Sequence, residues 1–193
     1  MPHKKHQENI HPQTKCVTAA IGTDTAFGAV TPPLYLSSNY VFPKLGEVPQ
    51  YDYGRSGNPN RDALLDVLAQ MEEGAGGAVT SSGMAAIDLV FNLIPAGGLI
   101  VAPHDCYGGT RRLLLARQEQ GRFRVAFLDQ QTPEIAAHLK TRKPDMVLIE
   151  TPNNPLMRTS DIAVLCKAAK KVGSISVCDN TFLSPARQKP LTL

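Results

Sequence analysis

Several short runs in this chain carry residue types that chemistry uses. Ser81-Ser82-Gly83-Met84 leads from a short apolar run into a helical one. Glycine there permits a tight turn, and the first amides of the following helix are left to bind an anion such as phosphate. A plain strand-to-helix turn uses the same residues. Asp179 closes another apolar run, where a buried carboxylate needs a cation or hydrogen-bond donors. A protonated pyridine nitrogen is one such partner, each pKa unit of mutual stabilisation being worth about 1.4 kcal/mol. A cap or turn is the ordinary use of such an aspartate. Tyr107-Gly108-Gly109 sets a ring beside two glycines, which suits stacking on a flat heteroaromatic ligand and suits core packing equally. His104 is of a type that acid–base catalysis often uses. With no conventional catalytic partner nearby in sequence, it reads as structural.

Other runs are set aside on physical grounds. Gly74-Ala75-Gly76-Gly77 has the composition of a dinucleotide loop, but it follows a helical run and precedes a strand-like one, the reverse of the required order. His3, His6 and His11, with Lys4, Lys5 and Lys15, form a basic start that reads as a solvated, frayed terminus. The three histidines could bind a metal only weakly, so no metal is expected. The net charge is only +3 and the basic residues are scattered, which leaves no footprint for nucleic acid or an acidic membrane. No apolar stretch approaches the roughly 18 residues of a membrane span, and neither a signal nor a transit peptide is recognisable. Cys16, Cys106, Cys166 and Cys178 lie far apart without a C-x-x-C pair. Reduced thiols in a cytoplasmic protein are expected.

The elements that must position the candidate groups alternate along the chain. Asn58-Pro59 reads as a helix cap with proline at the first helical position. Leu64, Leu65, Leu68 and Met71 then recur at helical spacing up to Gly74. Strands are predicted over residues 77–82, 99–103, 124–129, 146–150 and 175–179, and helices over 84–94, 110–120, 133–140 and 161–172. Such alternation, with continuous apolar strands, predicts an α/β fold: a mostly parallel sheet with helices on both faces. Residues 1–57 differ in kind. Thr31-Pro32-Pro33 and the segments 34–42 and 43–50 predict an extended N-terminal arm, ahead of a sheet domain over 58–193. In open α/β sheets, ligands gather at the carboxyl ends of the strands. Those ends carry Ser82-Gly83, the 104–109 run, Asn153-Asn154 and Asp179-Asn180-Thr181.

Five longer runs contain these groups in order: Tyr51-Asp52-Tyr53-Gly54-Arg55-Ser56-Gly57-Asn58-Pro59; Ser82-Gly83-Met84-Ala85-Ala86; His104-Asp105-Cys106-Tyr107-Gly108-Gly109; Glu150-Thr151-Pro152-Asn153-Asn154-Pro155-Leu156; and Val177-Cys178-Asp179-Asn180-Thr181-Phe182. Together they resemble the transsulfuration group of pyridoxal-phosphate (PLP) enzymes, across nearly the whole chain from about Thr18. The resemblance implies a fold type I, aspartate-aminotransferase-like large domain, PLP as cofactor, and a homo-oligomer that is a tetramer in the intact family. It also implies roles. Gly83 and Met84 would offer amides to the cofactor phosphate, and Tyr53 and Arg55 would reach the phosphate of a neighbouring subunit. Tyr107 would stack on the pyridine ring, Asn154 would bond its phenolic oxygen, and Asp179 would keep its nitrogen protonated.

Within the group, the 104–109 run and Asn180-Thr181-Phe182-Leu183-Ser184-Pro185 look most like the branch that joins cysteine to an O-acylhomoserine by γ-replacement, on the route to methionine. The γ- and β-eliminating branches share most of these residues. A non-catalytic module that binds partner subunits or a phosphate ligand is the reading from another class. In the family, the Schiff-base lysine follows the Asp-Asn-Thr strand within a Ser-x-Thr-Lys segment. This sequence ends at Leu193, and its one Thr-Lys pair, Thr14-Lys15, lies ahead of the sheet. Of the lysines present, Lys140, Lys143, Lys167, Lys170, Lys171 and Lys189 fall on predicted helices or in the tail, none at a suitable strand end. The expectation is therefore a chain truncated before its Schiff-base lysine, lacking the C-terminal domain, and catalytically incomplete alone.

Overall fold

The apolar runs at 99–103, 146–150 and 175–179 become strands with the predicted bounds. A computed structural model describes residues 10–193; His3, His6, Lys4 and Lys5 lie outside the described residues. By internal packing the chain divides into two compact units, Met1–Val79 and Thr80–Leu193.

In the first unit, helix α1 (Pro12–Val17) precedes a long irregular stretch and helix α2 (Pro59–Glu72). The arm is thus not extended throughout. His11 Nδ1 accepts the Gln13 N–H, Pro12 occupies the first turn, and Cys16 Sγ lies 3.6 Å from Met71 Sδ on α2. Period-based reading missed so short a helix because its stability comes from this packing rather than from propensity. Helix α2 starts as predicted: Asn58 Oδ1 accepts the Asn60 N–H at 2.8 Å and Pro59 fills the first position. It ends just ahead of Gly74, where Glu73 takes the left-handed conformation, with φ of 58°.

The second unit contains helix α3 (Gly83–Phe91), strand β1 (Leu99–Pro103), helix α4 (Gly108–Glu119), strand β2 (Arg124–Leu128) and helix α5 (Ile135–Arg142). Strand β3 (Met146–Glu150), helix α6 (Ile162–Lys171), strand β4 (Ile175–Asp179) and the one-turn helix α7 (Ser184–Arg187) complete it, with a final 3-10 turn at Pro190–Thr192. All strand pairings are parallel and the sheet order is β2-β1-β3-β4.

The strand predicted over residues 77–82 does not form. This Gly-, Ser- and Thr-containing run pairs with no strand among the described residues. Its residue types did not suffice without a ladder partner, because strand propensity depends on its neighbours.

Side-chain alternation along the central strands separates two cores. Ile100, Ala102, Met146 and Leu148 face one side and pack with Phe91 of α3 and Leu114 of α4. Val101, Val147 and Ile149 face the other, packing with Ile135 and Leu139 of α5 and Ile162, Leu165 and Ala169 of α6. Both faces are covered, which explains why β3 is apolar at four of five positions and buried at all five. The chain passes from β2 back across β1 to β3, so the order reverses between β1 and β3. At such a switch point the loops leaving two adjacent strands diverge and open a crevice. No helix among the described residues is long and apolar enough to cross a membrane.

Candidate active site

A cavity of about 310 Å³ opens at this crevice, lined by Gly83, Met84, Tyr107, Glu150, Asn154 and Asp179 among others. That volume lies at the small-ligand end of binding pockets. Five residues singled out from sequence therefore converge on one wall-to-wall space: Gly83, Met84, Tyr107, Asn154 and Asp179.

Each wall has a local cause. Ser82 caps α3: its Oγ accepts the Ala85 N–H at 3.1 Å, and its carbonyl accepts the Ala86 N–H at 3.0 Å. That leaves the first two amides, of Gly83 and Met84, without an acceptor among the described residues. Both belong to cavity-lining residues at the positive end of the helix. Tyr107 stands at the N-cap of α4, 43% exposed. Gly109 makes room for its ring, since a Cβ there would lie 2.4 Å from Tyr107 Cε1 and 3.0 Å from Met84 Sδ. Asp179 ends β4; its Oδ1 accepts both the Thr181 N–H at 3.1 Å and the Thr181 hydroxyl at 2.5 Å. Thr181 so fixes the carboxylate while the residue still lines the cavity.

Behind the cavity, Arg158 ties three loops together. Its guanidinium bonds Asp105 at 3.0 Å and Asp129 at 3.1 Å, and Nη1 lies 3.4 Å from His104 Nε2. His104 belongs to this network and does not line the cavity. The neighbouring Cys106 is buried, and burial together with the charge of Glu150 pushes its thiol up to about 11, far from a reactive thiolate. None of the four cysteines forms a disulfide. Among the described residues, no three His, Cys, Asp or Glu side chains gather as a metal site.

Sequence reasoning missed Glu150 as a site residue. It is 5% exposed and lines the cavity. Burial pushes its carboxyl above the ordinary range, reinforced by the charges of Asp179 and Asp105 and opposed by hydrogen bonds from Tyr107 and Asn154. The signal was present: a carboxylate closing the buried run Met-Val-Leu-Ile needs partners.

Tyr53 and Arg55 lie in the first unit. Tyr53 is bridged antiparallel to Asn39, and the Gly54 N–H donates to Ser38 O at 2.7 Å. The Arg55 guanidinium sits over the Tyr53 ring, 5.0 Å from its centroid.

Free helix-terminal amides, an exposed aromatic face and a fixed carboxylate thus line one cavity on a parallel α/β sheet. Residues 13–193 match the family of Cys/Met metabolism PLP-dependent enzymes. The chain belongs to that family, and pyridoxal phosphate is its cofactor. It is 46% identical over 181 residues to cystathionine γ-synthase of Escherichia coli, covering 93% of this chain and 47% of that protein. It is 36% identical to cystathionine γ-lyase of Bacillus subtilis, over 94% of this chain and 48% of that protein. Crystalline cystathionine γ-synthase of Xanthomonas oryzae superposes with a TM-score of 0.92 at 51% identity, over 95% of this chain and 48% of that one. It is a complex with aminoacrylate and cysteine, and a second structure contains cystathionine. The chain spans about half the length of the curated relatives it matches.

Proposed function

We propose that this chain forms the cofactor-binding part of a cystathionine γ-synthase-type enzyme, which joins cysteine to an O-acylhomoserine by γ-replacement. The observation that carries this reading is the convergence of Gly83, Met84, Tyr107, Asn154 and Asp179 on one cavity, in a chain nearer in sequence to two γ-synthases than to a γ-lyase. Pyridoxal phosphate supplies an electron sink that stabilises negative charge developing on the substrate carbon skeleton.

The chain's own residues bind and polarise. The Gly83 and Met84 amides take the phosphate at the α3 N-terminus, and Tyr107 stacks on one ring face. Asn154 donates a hydrogen bond to the phenolic oxygen. Asp179 holds a proton on the ring nitrogen, where the carboxylate's negative charge favours the cationic form. No lysine is among the residues lining the cavity, so the groups named here orient and polarise the cofactor without anchoring it covalently. Tyr53 and Arg55 serve the phosphate of a neighbouring subunit in a cytoplasmic homotetramer. This assignment is supported by the exposed apolar side chains of the same unit, including Phe27, Leu36 and Leu45, each at least 91% exposed.

Titration of the protein with pyridoxal phosphate tests the cofactor roles. Asp179→Asn should weaken binding by about tenfold, the equivalent of one pKa unit of lost support, and should remove the absorbance of the nitrogen-protonated ring. Unchanged affinity and spectrum would place the ring nitrogen elsewhere. Product analysis with O-acylhomoserine and cysteine tests the reaction: cystathionine marks γ-replacement, whereas 2-oxobutyrate as the main product marks a lyase.

A further inference from the structure

We propose that Glu150 is a positioning residue, whose carboxylate bridges the two loops of the crevice and holds the Tyr107 ring and the Asn154 amide in register for the cofactor. The proposal rests on the pyridoxal-phosphate reading of the cavity. Glu150 Oε2 accepts the Tyr107 N–H at 2.8 Å, while Oε1 accepts the same N–H at 3.1 Å and the Asn154 N–H at 2.9 Å. Tyr107 follows β1 and Asn154 follows β3, so one side chain spans the switch point from the end of the central strand.

Charge and burial argue against a role in stability alone. Among the described residues, no cation is paired with this buried carboxylate, and Asp179 and Asp105 face it with like charge. A buried, unpaired charge is an expensive way to fill space. Backbone N–H groups repay part of that expense only where the carboxylate can accept from both loops. A second tie lies on the far side of the same loops. The Asn153 amide donates to Asp105 O at 3.3 Å, and Arg158 binds Asp105. Arg158 and Asn153 close the loops behind the cavity, whereas Glu150 closes them on the cavity side. What it fixes is the separation between a ring that contacts one cofactor face and an amide that contacts the cofactor edge.

Glu150→Gln keeps the shape but replaces one acceptor oxygen with an NH₂ that opposes an N–H. Glu150→Asp keeps the charge but is one methylene shorter and cannot span both donors. The test uses the 193-residue chain and combines amide hydrogen exchange with pyridoxal-phosphate titration, the second followed by cofactor fluorescence quenching. For Glu150→Gln we expect about tenfold faster exchange at Tyr107 and Asn154, the size of one lost charge-assisted bond. Exchange at Leu148 and Ile149 should stay unchanged. Affinity should fall about tenfold and quenching by the Tyr107 ring should weaken; Glu150→Asp should fall between the two. Unchanged exchange at both amides overturns the bridge. Faster exchange with unaltered affinity and quenching makes Glu150 merely structural and overturns the proposal, as does loss of the fold in both variants. If the unsubstituted chain shows no pyridoxal-phosphate binding while its Tyr107 and Asn154 amides are protected, the cofactor-site reading has failed and the bridge itself stands.

Discussion

Substituting Gly109 with alanine probes how the aromatic wall of the cavity is built. The added Cβ would lie 2.4 Å from Tyr107 Cε1, far inside the roughly 3.5–4.0 Å optimum for carbon atoms. Backbone strain does not enter, because Gly109 is not among the positive-φ glycines. In the first turn of α4 alanine is the better helix former, by up to about 1 kcal/mol. Overpacking typically costs about 1–3 kcal/mol. The Tyr107 ring, 43% exposed, is free to swing outward, which places the cost at the lower end. The two terms nearly offset, leaving a net destabilisation of about 0–1 kcal/mol and a melting shift of a few degrees. Binding carries the larger effect. A ring that has left the wall forfeits stacking worth about 0.5–1.5 kcal/mol, or roughly 2- to 13-fold in pyridoxal-phosphate affinity. Circular-dichroism melts and a fluorescence titration read the two quantities separately. A well-folded Gly109→Ala with undiminished affinity would refute the claim that the missing Cβ sets the ring. A stability loss beyond about 3 kcal/mol would refute the claim that the ring can move.

Two further outcomes follow from the helices that flank the site. Ser82→Ala removes the α3 cap and should lower stability by about 1 kcal/mol in a chemical-denaturation series; an unchanged midpoint would mean that Ser82 Oγ does not cap the helix in solution. Arg117 binds Asp88 through two bonds, of 2.9 and 2.6 Å, joining α4 to α3, and its hydrogen bonds and charge hold the Asp88 carboxyl below the ordinary value. A depressed carboxyl contributes stability above its unfolded pKa, near about 4, and loses it as pH falls through the lower folded value. With both side chains a third exposed, solvent screens the pair and its contribution is small. Arg117→Ala should therefore melt earlier than the parent at pH 7, and the gap should narrow in acid. A gap independent of pH would point to lost packing instead.

The sheet was legible in sequence because burial on both faces leaves continuous apolar runs, as at 146–150, and such runs have sharp ends. Residues 77–82 misled for the opposite reason: a β-compatible composition carries no information about whether a partner strand is present. The short helix α1 rests on a tertiary contact and a cap, which periodicity does not encode. Of the candidate site, Gly83 and Met84 were readable because a cap and a helix start fix which amides remain free. Asp179 was readable because it interrupts an apolar run at its carboxyl end. Glu150 has the same signature, yet its partners are backbone N–H groups from loops 43 and 4 residues away in sequence. No side-chain pattern announces such partners. His104, read as structural from sequence, lies beside the Arg158 guanidinium, a neighbour the sequence did not announce.

The reversal of strand order has a consequence for how the protein folds. Strand β1 meets β2 across a short crossover, but it meets β3 only by closing a longer loop. That junction is fastened where the Leu99 N–H donates to Asp145 Oδ2 at 2.8 Å, 46 residues away. Contacts of greater sequence separation are entropically dearer and tend to form later. The cavity has one wall on each side of this junction, so partly folded chains holding only β1 and β2 have no site to offer. A ligand that recognises the closed junction and nothing earlier stabilises the native state by mass action, in proportion to the logarithm of its free concentration. On the proposed reading of the cavity, cellular pyridoxal phosphate would then brace this long-range junction, and cofactor supply would govern how much of the folded unit survives.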